Sequence, residues 1–153
     1  MSELIQASRE GDLQKMKTLL ATDASSINSV DEKGYTSLII ATYNGHLEAA
    51  ELLIKEGANV NEQDFGGNTA LMGVCFKGYA NIANLLIENG AALNMQHGNG
   101  GTALMFATMF GRNEIIKLLL AHGADKMIKD ERGLMALDHA GMQNNMEALD
   151  LLA

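Results

Sequence analysis

The sequence contains no proline and no tryptophan, and Cys75 is its only cysteine. A single cysteine excludes an internal disulfide and a zinc site built from several cysteines. No apolar run approaches the roughly 20 residues that a membrane-spanning helix needs. The N-terminus also lacks the basic and apolar regions of a secretory signal. We therefore expect a cytoplasmic protein that does not associate with membranes.

Basic residues are scarce as well. Eleven lysines and arginines stand against nineteen aspartates and glutamates, which gives a net charge of −8. Nucleic-acid-binding proteins usually carry a basic surface, so we expect no nucleic-acid partner. At 153 residues, of which 47% are hydrophobic, the chain has the size and composition of one domain with a substantial core.

What the chain has in abundance is glycine, 16 residues, and an internal repeat. The stretch DEKGYTSLIIATYNGHLEAAELLIKEGANVNEQ from Asp31 aligns without gaps with the stretches that start at Asp64, His97 and Asp130, 33 residues apart. The N-terminal stretch joins this register from Ser2, with one extra residue before Asp31. Since Ser2 takes the capping place of its unit, we expect the chain to begin where its first helix begins. The repeat divides one domain, 1–153, into an N-terminal cap 1–30, units 31–63, 64–96 and 97–129, and a C-terminal cap 130–153.

The repeat columns predict two helices in each unit. Two apolar columns at i, i+3 spacing mark the first helix: Leu4, Leu38, Leu71, Leu104 and Leu137, then Ala7, Ala41, Val74, Ala107 and Ala140. Two more mark the second helix: Met16, Ala50, Ala83, Ile116 and Leu149, then Leu19, Leu53, Leu86, Leu119 and Leu152. Thr36, Thr69 and Thr102 stand where a hydroxyl caps the first helix.

The glycines fall in three further columns. Turn positions before the first helix hold Gly34, Gly67, Gly100 and Gly133; positions between the helices hold Gly11, Gly45, Gly78 and Gly111, with Asn144 in the last unit; positions after the second helix hold Gly57, Gly90 and Gly123. We expect left-handed backbone at the helix ends, where glycine is the usual residue.

This pattern resembles the ankyrin repeat: GYTSLIIA, GNTALMGV and GGTALMFA, then NGH, KGY and FGR, then LLIKEGA, LLIENGA and LLLAHGA. The resemblance implies an all-α solenoid of about 4.5 helix-turn-helix repeats joined by β-turn or hairpin-like loops. The chain departs from the family at its histidine place, which holds Ile39, Met72, Met105 and Asp138. There we expect apolar packing to replace the hydrogen bonds of the histidine.

Several features suggest chemistry but fit the repeat better. Gly98, Gly100 and Ala103 match the dinucleotide-binding pattern G-x-G-x-x-A, yet Gly100 is the turn glycine of its unit and no buried strand precedes it. Asp138 and His139 lack a nucleophile, and we interpret them as a polar cap and a surface histidine. His97 replaces the aspartate of the other turns, so its turn should be less well braced. The sequence thus predicts no enzyme, no cofactor and no metal site.

The family resemblance places partner binding on the concave side, made of the turn tips and the exposed face of each first helix. Carried over by column, the candidate partner-binding residues are Lys33, Tyr35, Tyr43, Asn44, Phe65, Asn68, Phe76, Lys77, Asn99, Met109, Phe110, Arg132, Leu134 and Met142. Five of the seven aromatics fall in these columns, and only Tyr79 and Phe106 do not. Aromatic residues are enriched in interfaces, so this concentration favours a binding surface.

We therefore predict a monomeric, non-catalytic module that binds a partner protein as a scaffold, regulator or inhibitor. Two alternatives stay open at this point: a self-assembling structural module, and a redox-sensing regulator that acts through Cys75. The second requires an exposed thiol, whereas the small residues that share its column predict a buried one.

Overall fold

The computed structural model describes residues 2–153. In this range ten α-helices form two parallel rows, with the odd-numbered helices in the first row and the even-numbered helices in the second. The helices are α1 (Glu3–Glu10), α2 (Leu13–Thr22), α3 (Ser37–Tyr43), α4 (Leu47–Lys55), α5 (Ala70–Lys77), α6 (Ala80–Glu88), α7 (Ala103–Met109), α8 (Asn113–Ala121), α9 (Ala136–Met142) and α10 (Met146–Leu152). A 3-10 helix, Ala24–Asn28, follows α2. This architecture confirms the all-α solenoid.

The first helices begin at the capping residues that the sequence predicts. Thr36, Thr69 and Thr102 accept hydrogen bonds from backbone N–H groups three residues later, at 3.1, 3.2 and 3.3 Å. The last unit lacks this hydroxyl, and Asp138 compensates because its carboxylate accepts the N–H of Met135 at 2.9 Å. Each first helix therefore has a polar group at its start.

The core lies between the two rows and follows the apolar columns. The leucines at 38, 71 and 104 and at 53, 86 and 119 are at most 1% exposed. Met72 and Met105, at the family's histidine place, are also buried, and Ile39 is half-buried. Only the terminal units depart from the columns: Leu19, Leu137 and Leu149 are partly buried, since a unit at the end of a stack has a neighbour on one side only.

The glycine columns are confirmed by the backbone. All eleven glycines of the three columns have positive φ, between 69° and 99°, and Asn144 has a φ of 53°. Gly100 adopts 82°, close to the 80° and 86° of Gly34 and Gly67, so it has the geometry of a repeat turn. The segment before it, 91–97, contains no strand.

The turn tips are tied to each other by backbone hydrogen bonds. The carbonyl groups of Lys33, Gly66 and Asn99 each accept an N–H from the tip of the next unit, at 3.0, 2.9 and 3.0 Å. Within residues 2–153 the only β-structure is a single antiparallel bridge between Val30 and Thr36. The N–H groups of Asp31 and Asp64 also donate to the carbonyl groups of Tyr35 and Asn68, so the loops are hairpin-like, as expected, and hydrogen bonds connect neighbouring tips.

A second set of ties, which the sequence analysis missed, joins the opposite ends of the loops. Asn28, Asn61 and Asn94 recur every 33 residues. Each side-chain oxygen accepts a backbone N–H of the next unit; the donors are Asn59 at 2.8 Å, Ala92 at 2.7 Å and Asp125 at 2.8 Å. The 33-residue spacing of these asparagines was the signal that could have revealed these hydrogen bonds between units.

Candidate functional site

The exposed side of the first-helix row and the turn tips together form one surface, which we call the groove surface. None of the fourteen predicted partner-binding residues is buried. Eight are exposed and lie at positions 33, 43, 44, 65, 99, 110, 132 and 142, and six are half-buried and lie at 35, 68, 76, 77, 109 and 134. Their accessibility agrees with the prediction, while their role in binding stays a prediction.

Three aromatic rings form a continuous row across this surface. The Tyr43 and Phe76 rings are parallel within 4°, with centroids 6.2 Å apart. Phe76 and Phe110 meet edge to face at 4.6 Å. Tyr43 and Phe110 are 42% and 45% exposed. We call Tyr43, Phe76 and Phe110 the ring row.

The ring row has a cation at its side. The Lys77 ammonium lies 4.9 Å from the centroid of the Tyr43 ring, within the range of a cation–π contact. In the part of the chain that the structure describes, Lys77 forms no salt bridge. Its positive charge therefore remains available beside exposed aromatic surface.

The amides among the predicted residues already have local partners. The Asn44 side chain donates to the carbonyl of Ile40 at 2.8 Å. The Asn68 side chain donates to the Asp64 carboxylate at 3.3 Å, and the same carboxylate accepts two backbone N–H groups of its turn. These contacts fix the turn and the helix end beside the ring row.

A pocket of about 520 Å³ opens on the groove surface between α3 and α5. Four aromatic rings line it, those of Tyr35, Tyr43, Phe76 and Phe106. The prediction that Phe106 lies away from the groove is therefore wrong. Six of the seven aromatics therefore lie on this side, and the groove surface is deeper than the columns predicted.

Gly73 explains why the pocket exists. It occupies the first-helix column that holds Ile40 and Phe106 in the neighbouring units, so the side chain that would fill this space is absent. A Cβ atom at Gly73 would lie 3.3 Å from Cδ1 of Tyr43. Gly73 is not among the glycines with positive φ, and a glycine within a helix costs about 1 kcal/mol relative to alanine.

Contacts between units hold the far ends of the first helices. The Nε2 atom of His46 lies 2.9 Å from the Arg9 carbonyl oxygen. In the same repeat column two units later, the Arg112 guanidinium donates to the Phe76 carbonyl at 3.0 and 3.2 Å. His46 is thus structural, as its place in the repeat indicates, and the backbone beneath the ring row is anchored.

His97 braces its turn less completely than an aspartate does. The carboxylates of Asp31 and Asp130 each accept two backbone N–H groups. The Nδ1 atom of His97 accepts one, from Gly101 at 2.9 Å. The weaker bracing that the sequence predicts for this turn is therefore present.

His139 is not the surface histidine that the sequence analysis expected. It is 5% exposed, and its Nε2 atom lies 2.8 Å from the Asp130 carboxylate. Burial raises the pKa of Asp130, but hydrogen bonds from the Leu134 N–H, from His139 and from the Arg132 N–H outweigh it and leave this pKa below its ordinary value. The pair joins the last turn to α9, and sequence spacing alone did not reveal it.

Cys75 is 0% exposed and forms no disulfide. Burial raises the pKa of its thiol far above the ordinary value, so the reactive thiolate is strongly disfavoured. The exposed thiol that a redox sensor requires is not present, which leaves the redox alternative without support.

The described residues, 2–153, contain no group of three or more histidine, cysteine, aspartate or glutamate side chains placed to hold a metal ion. None of the helices in that range is long and apolar enough to cross a bilayer.

Comparison with known proteins agrees with the geometry. The family model described as "Ankyrin repeats" matches residues 4–97 and 74–153, in three copies. These matches together span nearly the whole chain. A search of the curated proteins finds no match.

Proposed function

Because this chain belongs to the ankyrin repeat family, whose members are generally protein–protein interaction modules, we propose that it binds a partner protein through the groove surface. The observation that carries this proposal is the ring row. Exposed apolar patches on soluble proteins often mark interaction sites, and aromatic side chains dominate the binding energy of many interfaces. The ring row supplies such side chains in one continuous strip.

The proposed mechanism is binding to a preorganised surface. Backbone hydrogen bonds fix the turn tips relative to each other, and inter-unit contacts from His46 and Arg112 fix the helix ends. Ordering flexible side chains at an interface costs about 0.5–1.5 kcal/mol each. Rings that already pack on one another lose less of this entropy, so more of their contact energy remains for affinity.

Members of the family are typically non-enzymatic, and we propose a non-catalytic role here, as a scaffold, regulator or inhibitor. The non-catalytic role is supported by the polar residues that recur in the repeat, because they cap helices, as Thr36 does, or brace turns, as Asp31 does. The monomeric state and the cytoplasmic location stay predictions. Size-exclusion chromatography at several protein concentrations tests the first and would reveal the self-assembling alternative.

The experiment is affinity capture from the native lysate with three versions of the full chain. The wild type should retain a partner that the Tyr43→Ala/Phe110→Ala double variant loses. Met146→Ala is the matched control, since Met146 is an exposed apolar residue at the start of α10 in the second row, and it should retain the partner. Equal capture by all three versions would refute binding through the ring row.

A further inference from the structure

We infer that the pocket at Gly73 is the specificity pocket of the groove, and that it takes one bulky apolar side chain from an extended acidic segment of the partner protein. This inference rests on the proposed function and deepens it, since it states the chemistry of what binds. It is carried by four observations: the shape of the pocket, its lining, its continuity with the ring row, and the charges beside it.

The pocket has the size and lining of a site for an apolar side chain. A cavity of about 150 Å³ accommodates a benzene ring, so an open pocket of about 520 Å³ accepts a large side chain together with adjoining backbone. Tyr43, Phe76 and Phe106 present ring surfaces to it, and Ile40 and Met72 line it as well. Such walls favour an aromatic or long aliphatic group over a polar one.

The glycine at position 73 indicates that the pocket is more than an incidental depression of the surface. Alanine or leucine in the middle of α5 would give a more stable helix than glycine. Positions where a sequence departs from its local structural preference are often functional sites. Here the departure creates the space between Ile40 and Phe106.

An extended polypeptide fits the surroundings better than an isolated small molecule does. The pocket shares Tyr43 and Phe76 with the ring row, which continues to Phe110. A chain anchored at Gly73 can therefore run along the rings and bury further apolar surface. A compact ligand in the pocket would leave Phe110 uncovered.

The charges beside the pocket favour an acidic segment. Lys77 lies over the Tyr43 ring, and Arg9, whose guanidinium donates a hydrogen bond to Gln6 at 2.8 Å, is among the residues that line the pocket. Asp64 is the one acid in the lining, so the pocket and its edge carry two positive charges against one negative charge. Since the whole chain carries −8, this locally basic rim is where an acidic segment meets least repulsion and is guided into position.

The test uses a displayed library of random twelve-residue peptides, selected on the full chain. We expect enriched peptides to share a bulky apolar residue with aspartate or glutamate nearby. Their dissociation constants are then measured by fluorescence polarisation against the wild type and five variants, one of them Tyr43→Ala/Phe110→Ala. Gly73→Leu, which fills the pocket, should weaken binding about 30-fold, as loss of an interface hot spot does.

The variants separate pocket filling from loss of the fold. Gly141→Leu is the matched control, because Gly141 also lies within a first helix and a Cβ there would meet nothing within 4 Å; binding should change less than twofold. Gly73→Ala adds helix propensity but places a Cβ 3.3 Å from Cδ1 of Tyr43, so its Tm should stay within about 4 °C of the wild-type value, which shows that position 73 tolerates a side chain. Lys77→Glu should weaken binding and reduce its dependence on salt.

Each outcome decides the inference. Enriched peptides without the apolar and acidic residues, or no enrichment, would overturn it. Peptides that bind Gly73→Leu as tightly as the wild type would also overturn it; if Tyr43→Ala/Phe110→Ala still abolished their binding, the proposed groove function would stand. Failure of the proposed function is seen separately, as equal capture of a partner protein by the wild type and this double variant.

Discussion

The contact between Phe76 and Phe110 allows a direct test of whether the ring row belongs to the surface or to the core. Phe76 is half-buried and touches a ring on each side. An aromatic pair contributes about 0.5–1.5 kcal/mol beyond area burial. Phe76→Ala loses two such pairs and the burial of a half-buried ring, so it should lower the free energy of unfolding by about 2–4 kcal/mol. Phe110→Ala loses one pair and about half of a ring's burial, and should cost about 1.5–2.5 kcal/mol.

The assay is a double-mutant cycle in urea, followed by circular dichroism at 222 nm. The coupling energy between Phe76→Ala and Phe110→Ala should be about 0.5–1.5 kcal/mol, because the double variant loses their shared contact only once. The control cycle pairs Tyr43→Ala with Phe110→Ala, whose rings are separated by Phe76, and should be additive within about 0.5 kcal/mol. A loss above about 4 kcal/mol for Phe110→Ala alone would be typical of a core residue and would refute the reasoning.

Three further predictions concern stability and reactivity. Ser37→Ala should raise the free energy of unfolding by about 1 kcal/mol in urea titration, since the Ser37 hydroxyl is buried with no hydrogen-bond partner among the described residues; a decrease would show that the hydroxyl is satisfied. The pKa of Asp130 is lowered in the folded state, so its stabilising effect is present above the ordinary aspartate pKa and is lost as pH falls through the lowered value. The melting temperature should accordingly decrease less steeply for Asp130→Asn than for the wild type as pH falls below the ordinary aspartate pKa of about 4, and equal slopes would contradict this. Cys75 should react with a thiol reagent only on unfolding, whereas rapid labelling of the native protein would revive the redox alternative.

The backbone could be predicted well from the sequence because each turn and helix start is marked by the same residue type in several units. A glycine that recurs every 33 residues is read as a turn with little ambiguity, and the left-handed backbone at Gly34, Gly67 and Gly100 follows. The threonine caps were predictable for the same reason. Helix ends and turns depend on a few residues close in sequence, so their signal is local.

The candidate site was predicted only in outline, because a pocket depends on what is missing between neighbouring units. The columns placed Tyr43 and Phe76 correctly on the accessible face, whereas Gly73 belongs to none of the three glycine columns and no prediction concerned it. Its effect appears only when the rings of Tyr43, Phe76 and Phe106 are oriented around it. The buried contact of His139 with Asp130 was missed similarly, since it joins a turn and a helix face through side-chain geometry.

The central claim, that a partner protein lies on the groove surface, is tested most directly by site-specific photo-crosslinking in the native cell. A photoreactive phenylalanine analogue replaces Phe110 in one version of the full chain and Glu51, an exposed residue of α4 in the second row, in the other. We predict a covalent adduct with a partner protein from position 110 and none from position 51. Adducts from position 51 alone would contradict the claim.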